Sequence, residues 1–380
     1  MADGSIFHQL LTFANEAGFI TAGIASAPAP GSTEDLEERR QFASWIESGR
    51  AGEMEYLKRR DVEGRLLRSS LRVAAPWARS VIVCVANYNS EMPRSIDAAP
   101  PDAGWIARYA WSGQSNADGG LRPSDYHNVL LKRLRHVEAA LQAHFGPFQS
   151  RCYVDTGPVV ERVYAKYAGV GWVGKNTCIL NQHLGSWLFL GVILTSYEPP
   201  PESLAVPAAD RCGSCRRCVE ACPTNALAEP YQMDATRCIA YLTIEKRGEI
   251  PPELREPIGR QVFGCDICQD VCPWNRKAPI SADTELQPRS ELVNPALEWL
   301  ATLDEPSFGR LFFGSPVKRA RFAGLQRNLA IAMGNSGLKN FLAKLEQWSN
   351  AADPVVAEAA SWAIAKIQRL STTAPSNTKS

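Results

Sequence analysis

Cys212–Pro223 reads CGSCRRCVEACP, and Cys265–Pro273 reads CDICQDVCP. Together they hold Cys212, Cys215, Cys218, Cys222, Cys265, Cys268 and Cys272, seven of the chain's eleven cysteines. A [4Fe-4S] cube takes four thiolates. A C-x2-C-x2-C run wraps three of its corners, and the cysteine ahead of proline reaches a neighbouring cube. Two such runs predict a ferredoxin-like module with two [4Fe-4S] clusters and one-electron chemistry. A symmetric second run would carry a cysteine where this chain has Val262. Cys238 is the remaining cysteine of the segment and completes the set. The crossed pattern therefore assigns Cys212, Cys215, Cys218 and Cys272 to one cluster, and Cys222, Cys238, Cys265 and Cys268 to the other. Paired zinc sites fit this spacing poorly, because structural zinc joins C-x2-C knuckles across a longer spacer. A disulfide framework fits less well still in a long chain able to build an apolar core.

The 380 residues are 45% hydrophobic, enough for two or three domains. Lys+Arg number 41 against 40 Asp+Glu, for a formal charge of +1, so only a local patch can argue for nucleic acid. The opening MADGSIFHQL has no basic region followed by an apolar one, and no signal peptide is expected. The longest apolar stretch, Trp187–Leu194, is too short to span a bilayer, so no membrane partner is expected. Thiolate-held clusters point to the reducing cytoplasm.

Helical spacing of Ile6, Leu10, Phe13 and Ala14 predicts a helix over 5–17. Leu36, Phe42, Trp45 and Ile46 predict an inward face for a second over 35–48, stopped by Gly49. SVIVCVA (80–86) reads as a buried strand. Residues 125–145 make a long helix closed by Gly146. A strand (151–154), a turn at Asp155-Thr-Gly-Pro158, a helix (159–168), a glycine-rich loop (169–174) and two β-rich runs split near 181–185 follow. This alternation fits an α/β or an α+β N-terminal domain, and the expectation taken is an N-terminal α/β domain within an α+β chain. YEPPPESLAVPAA (197–209) is a proline-rich linker. After 285 the pattern is all helical. GLQRNLAIAMGNSG and VVAEAASWAIAKIQ are alanine-rich helices of the kind that stack as repeat pairs. The expected division is 1–200, a ferredoxin-type module at 201–284, a HEAT-like helical repeat domain at 285–370 and a disordered tail at 371–380.

Several motifs point less far than they first suggest. GVGWVG (169–174) matches G-x-G-x-x-G, but a helix precedes it and a strand follows, the reverse of a dinucleotide fingerprint. GKN (174–176) lacks the Ser/Thr of a phosphate loop. Asp125-Tyr-His127 resembles the D-x-H-x-x-G of a histidine-on-cobalt corrin site, but Leu130 stands where glycine is needed, and His127 reads as a surface or capping residue. Asp155 reads first as a helix N-cap. Cys84, Cys152 and Cys178 read as buried thiols. Lys318-Arg-Ala-Arg321, with Arg310 and Arg327 nearby, is the best basic patch for phosphate.

With VDTGPVVER (154–162) and GVGWVGKNT before the cysteine runs, RCIAYLTIEKRG (237–248) and FGCDICQDVCPWN (263–275) within them, and GSPVKRARFAGLQRNLAIAMGN (314–335) after, nearly the whole chain resembles epoxyqueuosine reductase. The resemblance implies a cytoplasmic, monomeric, cobalamin-dependent enzyme. It would reduce the epoxide of epoxyqueuosine at the tRNA wobble position to queuosine, with electrons from an external donor. No histidine would sit on cobalt. It makes Asp155 the proton donor, with its pKa raised beside the cofactor. Cobalamin contacts fall on Arg68, Ala107, Asp155, Val160, Arg162, Ile179, Ile239 and the Gly264-Cys265-Asp266-Ile267 run. Lys246 and Lys318 fall where the phosphates of a tRNA anticodon stem-loop would lie. QSNADGGLRPS (114–124) is inserted relative to the family pattern, and Arg68-Ser-Ser-Leu-Arg72 lacks the family's proline.

Two other readings compete. A reductive dehalogenase shares the cofactors but usually carries an export leader and needs no helical domain with a basic entry. A pure electron carrier would leave some two hundred N-terminal residues without a role.

Overall fold

The computed structural model describes residues 6–116 and 120–373. Residues 117–119 of the insertion and 374–380 of the tail lie outside the described residues. Among the described residues no helix is long and apolar enough to cross a membrane.

The N-terminal region is built on four strands, β1 (Thr21–Ser26), β2 (Ser80–Asn87), β3 (Ser150–Tyr153) and β4 (Leu188–Thr195), in the order β1-β2-β4-β3. Every pairing is antiparallel. This corrects the expected α/β domain to an antiparallel α+β one. Alternating helices and strands do not by themselves make a parallel sheet, because long crossovers also return strands antiparallel.

β2 reads as an unbroken apolar run because both of its faces are covered. Ile82 and Cys84 meet α1 (Ile6–Glu16) and part of the long helix Tyr126–Phe145, here α3. Val81, Val83 and Val85 meet α4 (Glu161–Tyr167) on the other face. Leu134 of α3 comes so close to β4 that a Cβ on Gly191 would lie 2.9 Å from it.

The helix α2 (Thr33–Glu47) forms as expected and half-buries Phe42, Trp45 and Ile46, but its first turn buries an acid rather than Leu36. Leu36 is 55% exposed and Asp35 is fully buried. Asp35 is held by the Ser70 hydroxyl, the Arg39 guanidinium and the Gly31 amide. A carboxylate so supplied with donors is tolerated inside.

Two short pairings stitch the chain together. Trp105–Ile106 runs parallel to Gln261–Phe263, joining the N-terminal region to the cysteine module. Ser112–Ser115 and Leu121–Pro123 pair as a ribbon flanking the insertion, and Gln287–Pro288 adds a third strand. The region after 285 is therefore not purely helical.

One apolar core then runs without a break from Ile239 and Phe263 of the module into α6 (Phe322–Ser336) and α7 (Pro354–Thr373). It crosses the division expected at 284/285. α6 and α7 pack at glycine distance, since a Cβ on Gly334 would lie 2.9 Å from the Cα of Ala363. The helix α7 continues through Ser371–Thr373, into the stretch read as tail.

Candidate functional site

The thiols fall into the two sets that the spacing assigns. Cys212, Cys215, Cys218 and Cys272 line one cavity of about 230 Å³ with Lys175, Asn176 and Trp274. Cys238 and Cys265 lie in mutual electrostatic range with Cys222, and Cys268 lies beside both. Among the described residues no three Cys, His, Asp or Glu side chains converge on a single-ion site. Thiols set around a cavity instead match a cube, whose irons hold its sulfur ligands apart.

The backbone supports each set. Gly213, at φ 50°, turns the first loop. Lys175 Nζ donates to the carbonyls of Gly213 and Cys215. Cys238 caps the helix Ile239–Ile244, here α5, and the amides of Tyr241 and Ala240 face its sulfur. Val262 is buried in the strand Gln261–Phe263, consistent with its place being taken by Cys238. Cys84 is buried as read, whereas Cys152 and Cys178 are only half-buried. Cys178 lies against the thiol of Cys268.

Asp155 does not cap a helix. The N-cap of α4 is Val160, without a side-chain bond, and Asp155 sits at φ 55° in the turn after β3. Its side chain is 70% exposed, yet protein surrounds it on most sides, as on the floor of a deep open cleft. Tyr126 Oη donates to Asp155 Oδ2 at 3.2 Å, and His127 Nε2 stands 3.8 Å from the same oxygen.

Both groups come from the first turn of α3, where capping falls to Asp125. Asp125 accepts from the His127 amide at 3.0 Å and meets His127 Nδ1 at 2.6 Å. Tyr126 is fixed by stacking on Phe189, with ring centroids 4.1 Å apart at 3°.

Burial works against the imidazolium of His127, but the hydrogen bonds of Asp125 and Asp155 outweigh it and push its pKa up to about 9. Burial pushes Asp155 up, but His127, then Arg162 and Tyr126, outweigh it and hold the carboxyl below the usual range. This is the reverse of the expected rise. Its cause is the neighbouring imidazolium. Burial and then Asp155 push Glu161 up to about 7, and its Oε1 is buried without a partner.

The positions expected to meet cobalamin come from several elements of the N-terminal region and of the cysteine module. Ala107 and Gly264 touch across the parallel pair, where a Cβ on Gly264 would meet Ala107 Cβ at 2.5 Å. Asp266 is buried and accepts from the Arg108 amide at 2.7 Å and from Trp105 Nε1 at 3.1 Å. Burial and then Asp270 push its carboxyl up. Ile179 and Ile239 are buried, Val160 is half-buried, and Cys265 and Ile267 flank Asp266. Arg162 donates to the Thr177 carbonyl and acts electrostatically on both Asp155 and Cys178. Arg68 lies over the Tyr56 ring. An accessible acid, apolar walls and the unpartnered Glu161 oxygen suit a broad, amide-fringed macrocycle.

The rim of the cleft is basic. Lys246 pairs with Glu53, Arg319 with Glu245, and Lys318 lies over the Phe313 ring. Arg327, read as part of the patch, is instead 1% exposed. It donates to the carbonyls of Leu242, Lys246 and Gly248. Sequence reasoning missed Tyr126, His127, Glu161 and Tyr56. The Asp125-Tyr-His127 string was the available signal for the first two.

Two crossed thiol sets beside an acid-floored, basic-rimmed cleft define an iron–sulfur oxidoreductase. Residues 211–275 match the family described as a 4Fe-4S double cluster binding domain, and 68–156 match "Epoxyqueuosine reductase QueG, DUF1730". Epoxyqueuosine reductase of Xanthomonas campestris is 36% identical over 361 residues, covering 94% of this chain and 95% of that protein. The Escherichia coli K12 protein is 34% identical, covering 92% and 86%. A crystal structure of epoxyqueuosine reductase with a tRNA-Tyr epoxyqueuosine-modified stem loop superposes with a TM-score of 0.81 at 28% identity, covering 95% and 90%. The Streptococcus thermophilus structure gives 0.79 at 28%, covering 96% and 90%. The chain belongs to the epoxyqueuosine reductase family of oxidoreductases.

Proposed function

We propose that this protein reduces the epoxide of epoxyqueuosine at the tRNA wobble position to queuosine. The observation that carries the reading is Asp155, an accessible carboxyl walled by protein, next to an imidazolium and to Arg162, whose charge also reaches Cys178 beside Cys268. The tRNA-bound structure of a family member supports the substrate. Taking oxygen from an epoxide as water needs two electrons and two protons, and side chains supply only the protons. Eight thiolates hold two [4Fe-4S] clusters that pass electrons singly from an external donor. Arg68, Ala107, Val160, Arg162 and Ile179, with Ile239 and the 264–267 run from the cluster side, would hold cobalamin, which would supply a low-potential metal for C–O cleavage.

The remaining steps belong to the chain's own groups. Asp155 gives a proton to the opening oxygen. The His127 imidazolium, 3.8 Å from Asp155 Oδ2, holds that proton until the step, and the second proton of the water formed comes from solvent. Tyr126 fixes the carboxylate's orientation through its 3.2 Å bond. Tyr109, packed between Tyr126 and Phe263, keeps water from the cleft's inner wall. Lys246 and Lys318 meet the phosphates of the anticodon stem-loop.

The protein acts as a cytoplasmic monomer. Its layout is a cobalamin-binding region over 1–200, a two-cluster module over 201–284 and a HEAT-like helical domain over 285–370. The test is anaerobic incubation of the reconstituted protein with cobalamin, a reductant and tRNA carrying epoxyqueuosine. Nucleoside mass analysis then shows loss of one oxygen atom. An unchanged nucleoside in the presence of full cofactors defeats the reading.

A further inference from the structure

Two aromatic rings stand exposed on the basic rim, and cations engage both. Tyr56 is 38% exposed, with Arg68 Cζ 5.5 Å and Arg319 Cζ 5.2 Å from its ring centroid. Phe313 is 74% exposed, with Lys318 Nζ 5.7 Å from its ring. Lys318 and Arg319 are consecutive on the turn Pro316–Ala320, so the two ring–cation pairs are neighbours. Tyr56 also lies within the electrostatic reach of Asp155, which places it at the entrance to the acid. The rim's acids, Glu53 and Glu245, are already matched by Lys246 and Arg319, so Arg68 and Lys318 leave it positive.

We propose that Tyr56 and Phe313 are stacking platforms for the unpaired anticodon-loop bases that flank the wobble nucleoside. The proposal rests on the tRNA reading above. A nucleotide that enters a cleft must leave the stack of its neighbours, and that unstacking has a cost. Proteins that read single-stranded loops recover it by stacking splayed bases on aromatic side chains and guanidinium planes. The geometry here supplies both parts together. Each cation now rests on a ring and can turn to a phosphate, leaving the ring face to a base. An exposed phenylalanine beside a lysine suits a partner that is flat, apolar on its faces and anionic at its edges.

The test is binding of a labelled anticodon stem-loop to the full reconstituted chain over a series of salt concentrations. Tyr56→Ala and Phe313→Ala each weaken binding by about 5- to 150-fold, with the slope of log Kd against log salt unchanged. Lys318→Ala lowers that slope by about one. Phe313→Leu keeps the apolar bulk but not the π face, and stays weak. Tyr56→Phe restores binding. Iron content and circular dichroism equal to wild type show that the variants fold. Tight binding by Tyr56→Ala and Phe313→Ala beside a competent wild type overturns this proposal alone. The same holds if Phe313→Ala changes the salt slope as Lys318→Ala does. A wild type that neither binds the stem-loop nor reduces it overturns the tRNA reading as well.

Discussion

Replacing His127 with glutamine should move the alkaline limit of the reaction by several pH units. In the native cleft Asp155 and His127 share one proton. The imidazolium keeps it until pH rises through about 9. In His127→Gln the proton has only Asp155 to hold it. An ordinary carboxyl, with a pKa of about 4, is protonated in roughly one molecule in a thousand at pH 7. Burial of Asp155 offsets part of this, so the rate at pH 7 should fall about 10²- to 10³-fold. The Coulomb interaction at the observed 3.8 Å is consistent in sign. Opposite charges that far apart attract by about 4 kcal/mol at an effective dielectric constant near 20. Since the Asp155 side chain is 70% exposed, screening reduces this to about 1–2 kcal/mol, or about one pKa unit lost when the cation goes. Glutamine can still bond Asp125 and preserve the start of α3. The assay is single-turnover nucleoside formation by pre-reduced enzyme across pH, with iron and cobalamin content matched to wild type. The wild-type rate holds to about pH 8 and then falls, while the variant's rate drops about tenfold per pH unit from about pH 5 upward. A variant with the wild-type alkaline limit refutes the shared proton.

Three further outcomes follow from the geometry. Cys272→Ala removes one ligand of the thiol set lining the 230 Å³ cavity, and should cut iron from about eight to about four atoms per chain while sparing the other cluster; unchanged iron overturns the partition. The folded pKa of His127 is raised from about 6.5 to about 9, so its contribution to stability is complete below about pH 6.5 and is lost as pH rises through about 9. The contribution is at most about 3 kcal/mol, it includes the lowering of Asp155 rather than adding to it, and the urea midpoint of His127→Gln should lose this pH dependence. Arg327→Met leaves the carbonyls of Leu242, Lys246 and Gly248 without their buried donor, and should cost about 3 kcal/mol or more in denaturant unfolding. A midpoint equal to wild type would remove the guanidinium from the account of how α6 holds the 242–248 segment.

What could be read from the chain depended on how locally each feature is encoded. The cysteine runs are legible because cluster geometry imposes fixed spacing, and Cys238, nominated because Val262 stands in place of a cysteine, comes into range of Cys222 and Cys265. β2 is legible because cover on both faces leaves an unbroken apolar run. The helix at 33–47 is legible as a helix but not in what its first turn buries. Asp35 faces inward only because Ser70 and Gly31, outside that helix, supply it with donors. Asp155 fits a capping pattern in sequence, yet its neighbours come from α3, which no local spacing reveals. Arg327 looks like part of a basic patch until folding turns it onto backbone carbonyls. Sheet direction is not legible for the same reason: strand pairing is a long-range property, and helices between strands are compatible with either sense.

Asp155 as proton donor is the claim on which the chemistry turns, and Asp155→Asn tests it most directly. The substitution keeps the side chain's size while removing the ionisable proton. Anaerobically reconstituted Asp155→Asn should match wild type in iron content and in cobalamin absorbance, yet leave epoxyqueuosine in the tRNA intact by nucleoside mass analysis. Queuosine formed by this variant at the wild-type rate would contradict the account.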